Sequence, residues 1–167
     1  MDVFDVAMML IRLAVGIVMI AHGANHWLGG EGIAGTARWF SGLGLRNGVL
    51  QARLSVITEI GAGILVVVGL LTPLACAAVI AVMLVAGLLA HRLNGFFVFR
   101  EGYEYVLVLA TLALALALLG PGAISIDGAA GFDFYGWVGG GVALGLGVAS
   151  TAAQLSFFWR PNPKVTV

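Results

Sequence analysis

Charge is what this chain has least of. Of its 167 residues only 10% are Asp, Glu, Lys or Arg, while 61% are hydrophobic. Soluble domains carry roughly 25% charged residues. A compact fold in water would have to display large apolar patches, which a soluble monomer does not tolerate. The composition therefore excludes a water-soluble domain and predicts an integral membrane protein. Cysteine is nearly absent too. Cys76 stands alone, and a Cys-x-x-Cys exchange cycle needs two thiols, so the chain cannot run dithiol chemistry by itself. Cys76 reads instead as a small apolar residue of a membrane helix. There is no basic tract and the net charge is zero, which removes nucleic acid as a partner. The opening Met1-Asp2-Val3-Phe4-Asp5 carries no positive charge. A secretory signal would begin with one, so the first apolar segment is expected to be a retained span.

What the chain has is apolar length and glycine. Five spans are predicted within a single membrane domain over residues 1–167: about 6–28, 50–71, 74–91, 102–119 and 134–159. Each is on the scale of a hydrocarbon layer of about 30 Å. Thr72-Pro73 marks a tight turn between the second and third, because Pro cannot continue a helix and disfavours helix before it. Gly120-Pro121-Gly122 ends the fourth. Between the first two spans, residues 33–45 hold Trp39 and Phe40 beside Arg38 and Arg46, the pattern of a segment lying at the headgroups. In the fifth span, Gly136/Gly140 and Gly141/Gly145 give two small-xxx-small steps, which predict close helix packing within the chain or across an oligomer.

The basic residues sort by side. Five spans place Arg38, Arg46, Arg53, Arg92, Arg100, Arg160 and Lys164 together, leaving Arg12 as the one basic residue on the other side. Cytoplasmic loops collect Lys and Arg. The expectation is a multi-pass protein of the inner (plasma) membrane, N-terminus outside and C-terminus cytoplasmic. A four-span chain would put Arg160 and Lys164 on the wrong side.

A charge at mid-membrane costs on the order of 3 kcal/mol on insertion scales, so each buried ionisable group needs a reason. Arg12, His22 and His26 fall within about 80° of one another on a helical wheel. Gln51, Ser55, Thr58 and Glu59 fall within about 100°, and Glu101, Glu104 and Thr111 within about 80°. Such stripes should face one another rather than lipid. His22, His91 and Glu104 lie in the cytoplasmic third and Glu59 near the middle, so these four are the expected polar pocket. Arg12 in the outer third should pair with an acid, Glu59 or Asp127, and an Arg12–Asp127 structural ion pair is expected. His22 and His26 form an H-x-x-x-H pair on one helix face. That spacing can serve a metal, but no second pair accompanies it and no metal is predicted. Imidazole titrates near neutral pH, which also suits the pair to proton or quinone handling.

In order along the chain stand Arg12 with Gly16, His22-Gly23, Glu59-Ile60-Gly61-Ala62-Gly63, Gly69-Leu70-Leu71-Thr72-Pro73, His91, Gly95-Phe96-Phe97, Glu104 and Ser125-Ile126-Asp127. Over residues 10–127 the chain thus resembles the DoxX family of small bacterial membrane proteins. The family usually has Lys where His26 stands, and the fifth span lies beyond its four-helix core. The resemblance implies an all-α polytopic membrane bundle: a four-helix core, here with a fifth C-terminal transmembrane helix. It also implies quinone-linked sulfur oxidation or thiol redox balance alongside partner proteins. Two functional readings follow. In the first, the chain is a subunit of a membrane redox system, handling quinone or protons with a soluble or membrane partner. In the second, it is a non-enzymatic accessory or assembly subunit of a larger membrane complex, docked through the glycine-rich fifth span. Membrane lipid and either a protein partner or further copies of the chain are the expected neighbours.

Overall fold

In hydrocarbon every backbone N–H and C=O must be satisfied inside the protein, and helices do this locally. A computed structural model, describing residues 2–161, is accordingly all-helical among those residues. Lys164 lies outside them. The elements are α1 (Val3–Leu28), α2 (Gly32–Gly42), α3 (Gly48–Val68), α4 (Thr72–Ala86), α5 (Glu104–Leu119), α6 (Ile126–Ala129) and α7 (Gly136–Phe158). Past Ala86, α4 continues as a π-helical turn over Gly87–His91 and a 3₁₀ turn over Arg92–Asn94. Four helices are long and apolar enough to cross a membrane: α1, α3, Thr72–Asn94 and α7. The chain is a multi-pass membrane protein.

The fourth expected span is the short one. α5 has 16 residues, about 24 Å of helix. It begins beside the His91 end of α4, where His91 Nδ1 lies 2.6 Å from the Glu101 carbonyl. Beyond its far end, Asp5 in the first turn of α1 accepts from Ala123 N at 2.7 Å. It therefore travels the bundle from end to end.

The helices meet where side chains vanish. α1 and α3 cross at Gly16 and Gly63. A Cβ on Gly16 would lie 2.6 Å from Gly63 O, and one on Gly63 2.7 Å from Gly16 O. α7 lies on α4 and α5. A Cβ on Gly147 would meet Ile80 Cγ2 at 2.7 Å, and Gly140 is pressed against Leu118. Small residues permit this close approach, which supplies the dispersion contacts that hold helices together in lipid. The first of the two predicted small-xxx-small steps is thus partly consumed inside the chain. Gly141 and Gly145 face open space. Between the helices lies one core that includes Val15, Met19, Val66, Cys76, Val79, Ala113 and Leu116.

Two charged side chains organise the end that holds the α3–α4 turn. Gly69 closes α3 in the left-handed region (φ 64) and Leu71 follows at φ 49. A branched residue there is strained. Asp127 holds it in place: its carboxylate accepts from Leu71 N (2.9 Å), Thr72 N (2.8 Å) and Thr72 Oγ1 (2.7 Å). An anion at these N–H groups also complements the α4 dipole. Ser125 in turn caps the short α6, accepting from Gly128 N. Arg12 is 1% exposed and donates to Val67 O at 3.1 Å and to Ile124 O. The expected Arg12–Asp127 ion pair is not formed. Among the described residues only His26–Glu59 and Glu31–Arg38 come within ion-pair distance. Backbone carbonyls freed at the end of α3 and before α6 take the guanidinium, while Asp127 is occupied by the α4 N-terminus.

Candidate functional site

The other end of the bundle is built differently. α2 does not merely lie at the headgroups. Thr36 Oγ1 donates to His26 O at 2.9 Å, Thr36 and Ala37 are buried, and α2 packs against α3 and the end of α1. Trp39 and Phe40 then flank the His26 ring, with centroids 5.9 and 5.7 Å away. α7 reaches the same end and is stitched to the α2–α3 loop. Arg46 N donates to Phe158 O and Arg160 N to Gly44 O, both at 2.8 Å, and Trp159 Nε1 donates to Leu43 O at 3.0 Å. Along their lengths α3 and α7 scarcely touch, and the space between them is a cavity of about 390 Å³. Its walls come from the end of α1, α2, α3, α4 with its π-helical turn, and α7. That volume suits a small organic molecule, and apolar walls with a few convergent polar groups are the usual form of such a site.

The polar groups sit on one stripe of α3. Gln51, Ser55 and Glu59 are spaced i, i+4, i+8, so they stack on one face, and all three line the cavity. Glu59 is 2% exposed. Its Oε1 lies 3.2 Å from His26 Nδ1 and also accepts from Ser55 Oγ. His26 Nδ1 is 3.2 Å from Ser55 Oγ. Glu59 Oε2 is buried with no hydrogen-bond partner among the described residues, and so is Gln51 Nε2. Buried polar atoms are nearly always matched, so an orphan marks strain or a site that something else completes.

The four residues expected to form a pocket are not brought together. Glu59 alone lines the cavity. His22 turns to α5, its Nε2 3.4 Å from the Tyr105 hydroxyl. His91 is spent on Glu101 O, and Glu104 accepts from Val98 N at 3.0 Å. The acid's imidazole partner is His26, one turn beyond His22 on α1. The H-x-x-x-H pair is thus divided between two neighbours. No group of three His, Cys, Asp or Glu side chains positioned for a metal occurs among the described residues. Sequence reasoning also missed Gln51 as more than a member of the stripe, and missed Gln154 of α7, whose Nε2 donates to Gln51 Oε1 at 2.8 Å. The available signal was a pair of glutamines, each within two turns of the basic end of its span.

A family model described as DoxX matches residues 7–92, more than half of the chain. The chain belongs to the DoxX family. The match takes in α1 to the end of the π-helical turn, hence His26, Gln51, Ser55 and Glu59. α5, α6 and α7 lie beyond it. Among curated proteins the chain is similar to one named "Putative oxidoreductase CatD" from Bacillus subtilis (strain 168). The two are 27% identical over 113 residues, covering 68% of this chain and 80% of the relative. No solved structure matches the chain.

Proposed function

We propose that this DoxX protein is the membrane-embedded component of a redox system and holds a quinone in the cavity, with His26 and Glu59 handling the proton. The observation that carries the reading is the pair of half-buried His26 and buried Glu59, open on one side to an apolar cavity, with Glu59 Oε2 left free to accept from the hydroxyl of the reduced quinone. The family, and the oxidoreductase in the relative's name, agree with it.

The chemistry follows from the parts. A quinone bound here would supply the two-electron couple, and of the two protons its reduction requires one would pass through His26 and the other would come from solvent at the remote oxygen. Glu59 accepts at the Nδ1 edge of His26, which orients the ring. The Nε2 edge is then free to give a proton to an oxygen in the cavity or to take one back. Ser55 keeps Glu59 aligned. Trp39 and Phe40 limit water around the pair, which strengthens each electrostatic contact. The chain has one cysteine, and it is buried, so the electrons come from a partner carrying a dithiol or a flavin. The basic residues Arg38, Arg46, Arg53, Arg92, Arg100 and Arg160 flank the cavity end, and Arg12 lies toward the other. This supports a cytoplasmic cavity end in the plasma membrane and an outer N-terminus.

The test is quinone affinity of the purified full chain, read by quenching of tryptophan fluorescence with a short-chain benzoquinone. Glu59→Gln and His26→Leu should each weaken binding about tenfold to a hundredfold, the scale of one hydrogen bond to a charged group. Wild-type affinity in both variants contradicts the reading.

A second reading, an accessory subunit docked through α7, draws on one observation. Gly141 and Gly145 form an outward notch with nothing within 4 Å. It predicts a stoichiometric membrane protein that co-purifies with the wild type and is lost on Gly141→Leu.

A further inference from the structure

We infer that Gln51 is the residue that recognises the quinone oxygen remote from His26, and that Gln154 on α7 is the positioning residue that aims it. The inference rests on the reading of the cavity given above, and it makes α7, a helix outside the family match, part of the binding site.

Three observations carry it. Gln51 is 1% exposed and lines the cavity. Its Oε1 accepts from Gln154 Nε2 at 2.8 Å, which fixes which end of the amide faces α7. Its Nε2 has no hydrogen-bond partner among the described residues. A primary amide carries two donors, and a buried donor without an acceptor is costly. An acceptor oxygen arriving in the cavity would remove that penalty.

The spacing then names the ligand class. Gln51 and Glu59 are two turns apart on α3, about 12 Å along the helix axis. The stripe offers an amide donor at one end and a proton-exchanging imidazole–carboxylate pair at the other. The His26 ring lies 3.2 Å from both Ser55 Oγ and Glu59 Oε1, and one six-membered ring with an oxygen at each end, each in a hydrogen bond of about 2.8 Å, fits within that stretch. Trp39 and Phe40 supply aromatic surface beside it, and Leu54 and Val82 apolar surface. A para-quinone fits these requirements. An anion such as a sulfur oxyacid does not, because it would face the Glu59 carboxylate in an apolar chamber. An apolar molecule without oxygens would leave the Gln51 Nε2 donor unmatched.

The role given to α7 follows from how little else joins it to α3. Among the described residues, the Gln154–Gln51 bond is the hydrogen bond that bridges the two helices along the cavity, and the remaining stitches join the end of α7 to the α2–α3 loop. Without Gln154 the Gln51 amide is free to rotate and must be ordered when ligand binds.

The experiment uses the full chain in lipid nanodiscs and two probes. One is a short-chain benzoquinone and the other the matching ring lacking one of its two carbonyl oxygens. Wild type should bind the quinone at least tenfold more tightly than the one-oxygen ring. Gln51→Leu should abolish that discrimination and leave the weaker affinity for the one-oxygen ring unchanged. Gln154→Leu should weaken quinone binding several-fold, and adding it to Gln51→Leu should do nothing further, since it acts only through Gln51. If Gln51→Leu does not give a monodisperse protein, Gln154→Leu, which is only partly buried, provides the same comparison. Quinone binding in the wild type with unchanged discrimination in either variant overturns the inference and leaves the His26–Glu59 site standing. Failure of the wild type to bind the quinone overturns both.

Discussion

The two ends of this bundle bury polar groups in opposite ways. At the α3–α4 turn, Asp127 accepts three hydrogen bonds, Arg12 donates to two carbonyls, and Ser125 caps α6. Arg12 Nε alone is left over, and Arg12 borders no described cavity. At the other end, the Glu59 carboxylate and the Gln51 amide each keep one atom unmatched, and both line the same chamber. Burial of charge alone does not distinguish a strut from a site. What distinguishes them is whether the polar atoms are satisfied by the protein's own backbone or turned toward space that a ligand can fill.

The comparison can be broken by treating the two ends as interchangeable. The largest effect is expected at the strut. Asp127→Leu strips Leu71 N, Thr72 N and Thr72 Oγ1 of their acceptor and should destabilise the protein by about 3 kcal/mol or more, read as a lower midpoint of thermal unfolding in detergent. An unfolding midpoint equal to wild type would show that this end is not a strut. Next is the α1–α3 crossing, which supports both ends. Gly63→Val forces a side chain into Gly16 O and should cost about 1–3 kcal/mol, seen in the same assay. A smaller effect is expected from Thr36→Val. It removes the bond that seats α2 on the His26 carbonyl, about 1 kcal/mol, and should loosen the cavity wall, so quinone affinity falls along with stability. The smallest is His22→Leu. His22 faces Tyr105 rather than the cavity, so quinone affinity should be unchanged and stability should shift by about 0.5 kcal/mol or less. A loss of affinity as large as that of His26→Leu would mean that the polar pocket lies between α1 and α5.

Much of this was legible in the sequence. Hydropathy and the Thr72-Pro73 break marked the long helices, although the fourth, expected as a full span over about 102–119, is a helix of 16 residues, and the polar stripe on α3 was visible as a stripe. The partners were not. His22 and His26 sit on one face of α1, and periodicity does not say which of them meets α3. The side-by-side seating of Gly23 against Glu59 and Ile60 decides it, leaving His26 one turn farther on to reach the acid. The departure from the family's Lys at position 26 argued against the residue that pairs with Glu59. Arg12 and Asp127 were matched as opposite charges at one depth. Backbone groups exposed by the α3–α4 turn compete for both, and such competition cannot be read from charge and depth. Nor did the glycines of α7 reveal that Gln154 crosses the cavity, because a lone Gln on an apolar helix carries no periodic signal.

The central claim is that a quinone occupies the chamber between α2, α3, α4 and α7. The most direct measurement is photolabelling of the purified full chain with an azido-quinone, followed by mapping of the labelled peptides by mass spectrometry. Label should concentrate on the segments holding Trp39–Phe40, Leu54–Thr58 and Gln154–Phe158, and excess unmodified quinone should compete it away. Label spread over outward residues such as Trp137, which is 89% exposed, and not displaced by competitor would contradict the claim.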